Sequence, residues 1–362
     1  MTDSIQSDGV RNMLQNCGKA QPGQHLLVAF EPESHGYYDQ KVVDLVSAEA
    51  AKMGLTVSRL DVGFDPHRPA MSQQLSKRII DADIVVFLAR LGDQLRFSEM
   101  PQGTTIINSY TLNAHLLQST FASAHYDAFV ALKTAVDRCI ARSDQITVTC
   151  PAGTAFEGKS DLKGASAVDT TLRRFPMSVF SPVPAAEFSG KVALGGFLTG
   201  TGSRYYDKYT VEFDGQVFAI FENGRLSGFE GAPHDTAKAN AHYDRVSSLF
   251  EIDRNFVHSW HAGIHPGCGF PWALQQDYLQ WGGAAFGNPR VLHFHTCGAY
   301  APGEISWNVF DPTIEIDGVR LWDHGRFRAD RLEEGPGILD RYRCAAEVFE
   351  NPDRNIGLAD TR

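Results

Sequence analysis

The chain has 362 residues, of which 43% are hydrophobic and 21% charged, and its formal net charge is −10. This length suits two domains of ordinary size, and the composition is that of a globular protein, neither disordered nor fibrous. An acidic chain without a block of Lys or Arg has no electrostatic footprint for nucleic acid, so we expect no nucleic-acid partner.

Two further features narrow the class of protein. No run reaches the roughly 20 apolar residues of a membrane span. The segment MTDSIQSDGV lacks the basic and apolar parts of a secretion signal, so we expect a cytoplasmic protein with no membrane partner. The six cysteines form no CxxC pair, which indicates neither a zinc ribbon nor a disulfide framework.

The first predicted domain, residues 1–150, is an α/β domain with a largely parallel sheet. Short apolar runs alternate there with helical stretches, which is typical of strands that cross over through helices. Helical periodicity predicts one helix from Asp39 to Met53, stopped by Gly54, and another from Ala122 to Arg142. The predicted strands are His25 to Phe30, Thr56 to Val62, Asp83 to Ala89 and Thr104 to Ile107.

The second predicted domain, residues 151–362, is a β-rich α+β domain. The dipeptides Asp214-Gly215, Asn223-Gly224 and Asp317-Gly318 each lie between apolar or β-branched runs and predict hairpins. A helix is predicted from about Asp235 to Leu249, and the segment LGGFLTGTGS (194–203) is predicted to be a loop. No GxGxxG follows the first strand, so a dinucleotide cofactor is not expected.

Histidines carry the functional prediction. Five of the 13 histidines fall between Val257 and Thr296, at positions 258, 261, 265, 293 and 295. Imidazole is a common ligand of zinc and iron, and a catalytic metal site takes about three protein ligands and leaves one position open. HAGIHPG (261–267) indicates a loop or irregular strand, whereas HFHTCG (293–298) indicates a strand that points His293 and His295 to one face.

The pattern therefore predicts a metal centre built from His261, His293 and His295, with His265 able to replace one of them or to act in catalysis. The alternative is a structural role, because a single buried histidine is more often a hydrogen-bonded core residue. We assign that role to His258, and we expect His324 at the surface.

Four short motifs follow one another along the second half of the chain: AGTAFEG (152–158), SGKVAL (189–194), FENGRLSGFEG (221–231) and TIEIDG (313–318). In this order they resemble motifs of one superfamily, which joins the aminopeptidase T-like metallo-aminopeptidases to bacterial 2,5-dihydroxypyridine 5,6-dioxygenase. In the site segments HAGIHPG and HFHTCGAY, the resemblance places His261 and His293 at ligand positions and Tyr300 at the position of the family's tyrosine.

One departure from the family is plain. Where both relatives carry a His-x-Asp pair of metal ligands, this chain reads Ser306-Trp307-Asn308. The resemblance therefore implies a divergent site, and losing carboxylates while gaining imidazoles favours one metal ion over a bridged pair. Tyr300, Glu304 and Asn308 are expected to support the ligands or act on substrate. The resemblance also implies a homodimer.

Three functions remain open from the sequence, the first two with a small-molecule substrate. The first is a nonheme Fe2+ dioxygenase that opens the ring of a small hydroxylated aromatic or N-heterocyclic compound. The second is a metallohydrolase, using Zn2+ or Mn2+, that acts on a small amide or cyclic amide with Glu304 or Glu187 as base. The third is a homologue that has lost its metal and serves as a binding or structural protein.

Overall fold

Three β-sheets organise the part of the chain that the computed structural model describes, residues 8–65, 71–96, 98–160, 171–200, 206–298 and 302–358. In chain order the strands are β1 His25–Phe30, β2 Thr56–Asp61, β3 Ile84–Leu88, β4 Thr105–Ser109, β5 Ile146–Thr149, β6 Ala155–Gly158, β7 Arg173–Phe175, β8 Val183–Pro184, β9 Phe188–Leu194, β10 Phe197–Thr199, β11 Thr210–Glu212, β12 Val217–Glu222, β13 Arg225–Glu230, β14 Val257–Ala262, β15 Val291–Cys297, β16 Glu304–Phe310, β17 Thr313–Ile316 and β18 Val319–Trp322.

The helices of the described residues surround these sheets. The α-helices are Gln40–Lys52, Gln73–Ile80, Arg90–Gln94, Ala114–Leu117, Thr120–Ser123, Tyr126–Arg142, Pro233–Phe250, Tyr278–Ala285, Gly335–Arg341 and Arg343–Glu350, with a π-helix at Asn12–Cys17 and short 3₁₀ turns at Glu33–His35, Leu274–Gln276 and Ala329–Arg331. Within that part of the chain, every helix is too short or too polar to cross a membrane.

The first sheet confirms the predicted α/β half. It has the order β2-β1-β3-β4-β7, and every neighbouring pair is parallel. The predicted helix at 39–53 spans Gln40–Lys52, because the Asp39 carboxylate caps its first turn by accepting from the Lys41 N–H and Gly54 takes a left-handed φ of 83°. The second predicted helix begins only at Tyr126, because the chain is extended at Ala124.

Two of the three predicted hairpins are confirmed. Asn223-Gly224 joins β12 to β13, and Asp317-Gly318 joins β17 to β18. The hairpin at Asp214-Gly215 is wrong, because β11 pairs with β10 whereas β12 pairs with β9 in another sheet. The N–H groups of both turn residues bond instead to the carboxylate of Asp235, at 3.1 and 2.9 Å.

The predicted loop at 194–203 is also partly wrong. Phe197–Thr199 forms β10, which pairs with β11 on one side and β16 on the other. Phe197 and Leu198 are buried, so apolar burial fixes this glycine-rich segment as a strand. Residues 201–203 lie outside the described residues.

The two antiparallel sheets confirm the β-rich second half, and they share strands with the first half. The seven-stranded sheet, β13-β12-β9-β6-β5-β17-β18, takes in β5 from before residue 150. Strand β7, from beyond residue 150, completes the parallel sheet. One core cluster contains residues of both halves, so the division at 150 stays a prediction.

The six-stranded sheet, β11-β10-β16-β15-β14-β8, has two different faces, and this positions the site. Trp260, Phe294 and Trp307 are register partners on one face, where Phe156 of the seven-stranded sheet packs 5.6 Å from Trp260 and 5.2 Å from Phe294. Because side chains alternate along a strand, the neighbouring histidines project from the opposite face, away from this aromatic core.

Candidate metal centre

Three histidine side chains converge on the polar face of the six-stranded sheet. His261 of β14 pairs directly with His293 of β15, and His295 follows two residues later on the same face. The Nε2 atom of His261 lies 2.6 Å from Nε2 of His293 and 3.1 Å from Nε2 of His295. One ligand atom from each of the three lies within 4.8 Å of the others. The structure thus brings together the three residues that the sequence predicted as a group.

The hydrogen bonds made by the Nδ1 atoms of two of these rings bear on the state of their Nε2 atoms. His261 Nδ1 donates to the carbonyl oxygen of Phe180 at 3.0 Å, and His295 Nδ1 donates to the Glu304 carboxylate. A neutral imidazole that donates from Nδ1 has only a lone pair at Nε2. With His295 in its neutral form, its Nε2 lone pair would face that of His261 at 3.1 Å, an arrangement that a cation between them would stabilise.

The spacing suits a single metal ion. Two ligands about 2.1 Å from one ion lie about 3.0 Å apart when their bonds are at right angles and about 3.4 Å apart at the tetrahedral angle. The separation of 3.1 Å between His261 and His295 falls in this range. The 2.6 Å between His261 and His293 would have to lengthen by about 0.4 Å for ligand bonds of this length.

Burial keeps two of these ligands neutral at physiological pH. His261 is 4% exposed and His293 is 3% exposed. Loss of hydration lowers the pKa of each well below the usual value, and the neighbouring imidazoles lower it further. A metal binds neutral imidazole, so at pH 7 neither of these two side chains has to give up an imidazolium charge before a cation binds.

Glu304 supports His295 from behind. It begins β16, is 1% exposed, and accepts the Nδ1 proton of His295 through Oε1. A carboxylate behind a ligating histidine fixes the ring's orientation and makes its other nitrogen a better donor to a metal. Glu304 does not line the cavity described below, so the geometry gives it this supporting role rather than direct contact with substrate.

Ser306 and Asn308 lie beside the histidines in the sheet. Ser306 pairs with His295 and Asn308 with His293, so both side chains belong to the polar face. Both residues are fully buried, and neither the Ser306 hydroxyl nor either amide atom of Asn308 has a hydrogen-bond partner among the described residues. Neither lines the cavity. Asn308, predicted to act in the site, therefore lies next to a candidate ligand but does not face the open space.

The structure does not bring His265, another predicted site residue, to the centre. His265 is fully buried between aromatic rings, stacked 3.7 Å from Phe129 and edge-on to Phe121. Its Nδ1 accepts the N–H of Gly267, and burial lowers its pKa to about 3, which is the chemistry of a neutral core histidine. Tyr300 lies outside the described residues.

A cavity of about 120 Å³ opens beside the three histidines. Its wall combines groups from the six-stranded sheet and from the carboxyl ends of the parallel strands, where ligands of α/β folds commonly bind. Aromatic, arginine and small residues dominate its lining, which is Tyr37, Tyr38, Arg90, Asp93, Arg96, Asn108, Tyr110, Phe121, Arg174, Ser178, Val179, His261, Gly282, Gly283, Ala284, Phe286, Gly287, His293 and His295.

Sequence reasoning missed the half of this cavity that belongs to the parallel sheet. Arg90 and Asp93 follow β3, and Tyr110 follows β4, at the edge where such sheets bind ligands. The sequence feature that could have identified these residues is the presence of polar side chains just after two predicted strands. Arg174 had no such signal, because its strand is short and joins the sheet only through pairing with the distant β4.

A second group of acidic and imidazole side chains consists of the exposed Asp214 and His234 and the buried Asp235. The Asp235 carboxylate is already bonded to two backbone N–H groups, and Lys238 lies 3.0 Å from Asp214 and 3.4 Å from Asp235. These partners occupy the carboxylate oxygens and offset part of their charge, so we assign the group a structural role.

Known proteins resemble this chain in fold rather than in sequence. No family model matches the chain, and no curated protein does. Among solved structures, the chain is similar to 2,5-dihydroxypyridine dioxygenase from Pseudomonas putida KT2440, at 13% identity and a TM-score of 0.61, over 90% of this chain and 97% of that one. Wild-type AmpT from Thermus thermophilus matches at 12% identity and a TM-score of 0.49, over 90% and 99% of the two chains.

The similarity to the dioxygenase establishes a shared fold over nearly the whole length of both proteins. It agrees with the resemblance that the sequence motifs suggested. At such low identity it does not transfer site residues or activity, which have to be argued from the geometry of this chain.

Proposed function

We propose that the protein is a mononuclear metal-dependent enzyme, and specifically a nonheme Fe2+ dioxygenase that opens the ring of a small hydroxylated aromatic or N-heterocyclic compound. The observation that carries the metal assignment is the convergence of three Nε2 atoms, with the lone pair of His261 directed into the cluster by the bond from its Nδ1 to the Phe180 carbonyl. His261, His293 and His295 would hold the ion. When bound there, ferrous iron would supply open positions for substrate and the redox chemistry that cleavage by dioxygen requires.

The cavity supports a substrate with one ring. An apolar cavity on the order of 150 Å³ holds a molecule of benzene in another protein, so a space of about 120 Å³ suits a single ring rather than a peptide. Phe286 stacks on His293 with ring centroids 4.0 Å apart, and Phe121 lines the same space, so flat apolar surfaces border the metal ligands. One solved structure that shares this fold is named a dioxygenase of a hydroxylated pyridine.

Polar groups of the opposite wall would orient the substrate's hydroxyl groups. Tyr110 donates to Asp93 at 2.9 Å, and burial, with Asp93 beside it, raises the pKa of Tyr110 to about 12. The phenol therefore keeps its proton, and its oxygen can accept a hydrogen bond from a substrate hydroxyl. Tyr38 is held by its own bond to the Ser109 carbonyl, at 2.7 Å.

The metal assignment is tested by elemental analysis of the purified protein reconstituted with ferrous iron without oxygen. We expect about one ion per chain, lost in His261→Ala and His293→Ala and kept in His324→Ala, which changes an exposed histidine near the end of β18. Full iron content in both site variants would contradict the assignment of the ligands.

Oxygen uptake then tests the reaction. The iron-loaded protein is mixed with a panel of hydroxypyridines and dihydroxybenzenes, and ring opening is followed by the loss of the substrate's ultraviolet absorption. Uptake that requires both iron and a hydroxylated ring supports the dioxygenase. A metal-loaded protein that consumes no oxygen with any member of the panel would overturn this assignment.

A metallohydrolase is the second candidate, and the all-imidazole donor set favours it. Three neutral histidines with an open position are a ligand set of catalytic zinc, which lowers the pKa of bound water to about 7. Asp93 is the acidic residue in the cavity lining, whereas Glu304, the predicted base, is bonded to His295. Cleavage of small amides or cyclic amides with Zn2+ or Mn2+, and without oxygen, would select this function over the first.

A further inference from the structure

Three arginine side chains line the cavity, and two of them already have carboxylate partners. Arg90 lies 3.1 Å from Glu31, which is also buried, and Arg96 lies 2.7 Å from Asp93. The third, Arg174, is paired with no carboxylate of the described residues. Among the described residues, the wall therefore holds one guanidinium whose charge has no carboxylate counterpart.

Arg174 is fixed by the sheet. It occupies the middle of β7, where it is the register partner of Asn108 in β4. Its Nε is buried, and neither this atom nor the Oδ1 of Asn108 has a hydrogen-bond partner among the described residues. Leaving a buried donor without a partner is unfavourable, and more so when the group is charged, so such a group calls for an acceptor that arrives with a ligand.

The positive charge of Arg174 reaches the metal ligands. It contributes to lowering the pKa of both His261 and His293, in addition to the larger effect of their burial. A ligand in the cavity thus has Arg174 and the histidine cluster in the same small space of about 120 Å³.

The charge of the wall favours a singly charged anion. Arg90 and Arg96 are balanced by Glu31 and Asp93, which leaves Arg174 as one net positive charge before any metal is counted. A guanidinium fork binds a planar carboxylate through two parallel hydrogen bonds. A phosphate is bulkier and carries close to two negative charges, more than the single charge of Arg174 balances.

We propose that the substrate is a carboxylated ring, with Arg174 binding its carboxylate while its other polar substituents face the three histidines. This inference rests on the proposed function, since it names the class of ring for the same site. Arg174 is a specificity-determining residue in this scheme.

The test compares two pairs of compounds that differ only by the carboxylate. The pairs are 2,5-dihydroxybenzoate with hydroquinone, and 5-hydroxypyridine-2-carboxylate with 3-hydroxypyridine. Binding is measured by calorimetry without oxygen, on both metal-free and zinc-loaded protein. We expect the carboxylated member to bind about 10- to 100-fold more tightly in the wild type, the range of a charge-assisted hydrogen bond.

The variants separate Arg174 from chelation by the metal. In Arg174→Gln the carboxylate preference should fall below about threefold, and Arg174→Lys should restore part of it, because lysine keeps the charge but not the fork. Arg173→Gln is the matched control, because the neighbouring arginine does not line this cavity and donates instead to the Cys17 carbonyl. Circular dichroism confirms that each variant is folded before binding is measured.

Two results would overturn the proposal: equal affinity for both members of each pair in the wild type, or a preference that persists unchanged in Arg174→Gln. The second result would mean that the metal, rather than the arginine, selects the carboxylate. Oxygen uptake is measured separately on the same compounds. Binding through Arg174 without any oxygen uptake would contradict the dioxygenase assignment and leave this inference standing. Oxygen uptake with the uncarboxylated rings at the same KM as with the carboxylated rings would support the dioxygenase and contradict this inference.

Discussion

Replacing Glu304 by Gln tests whether the buried carboxylate behind His295 serves the metal centre. The amide keeps the shape of the side chain and an oxygen that can accept the Nδ1 proton, but it removes the negative charge. Glu304 is 1% exposed, so solvent does not reach this position to compensate for the lost charge. Partners that stand behind a metal ligand typically contribute about 10- to 100-fold to metal affinity.

The expected size follows from linkage between binding and folding. A metal present at about 100 times its Kd stabilises the folded wild type by about 2.7 kcal/mol. If Glu304→Gln weakens binding about 30-fold, the same metal concentration stabilises the variant by only about 0.9 kcal/mol. The difference of about 1.8 kcal/mol is large enough to measure in a urea titration.

The assay compares urea unfolding with and without zinc for the wild type and the variant. Glu222→Gln is the control, because Glu222 is an exposed strand carboxylate on β12. We expect this control to show the full stabilisation by metal. If Glu304→Gln is stabilised by zinc as much as the wild type, the carboxylate does not support the ligand and our interpretation of the site is wrong.

Three other predictions address the ligands, pH and packing. His261→Ala should abolish stabilisation by zinc in the same titration, while His324→Ala should retain it. Burial lowers the pKa of His265 to about 3, so the unfolded chain takes up this proton first as the pH falls. His265 therefore leaves the free energy of unfolding unchanged above about pH 6.5 and lowers it below that pH, by about 2 kcal/mol at pH 5. His265→Gln should flatten that decline, measured by urea unfolding at several pH values, without changing zinc affinity. Gly263→Ala should lower the free energy of unfolding by about 1–3 kcal/mol, because the new Cβ would lie 2.2 Å from the Asn288 carbonyl oxygen; an unchanged urea midpoint would show that the backbone there yields.

Local patterns predicted those parts of the structure that short-range physics decides. Helix Gln40–Lys52 was predictable because its cap, its apolar periodicity and its glycine stop all lie within one segment. The hairpin at Asn223-Gly224 was predictable because its turn residues favour the required backbone angles. The hairpin at Asp214-Gly215 failed because its amides bind Asp235, about 20 positions further along the chain.

The residues of the site likewise divide into those that local sequence predicts and those that only the tertiary structure brings together. The sequence alone determined that His293 and His295 share a face, since side chains alternate along a strand, and it singled out His261 through clustering. Only the tertiary structure decided that β14 pairs with β15 so that the imidazole nitrogens meet. It also decided that His265, three residues beyond the end of β14, is enclosed by phenylalanine rings instead. It alone brought Arg174 into the wall, because strand pairing between distant segments depends on the packing of the whole sheet and leaves no mark in the local pattern.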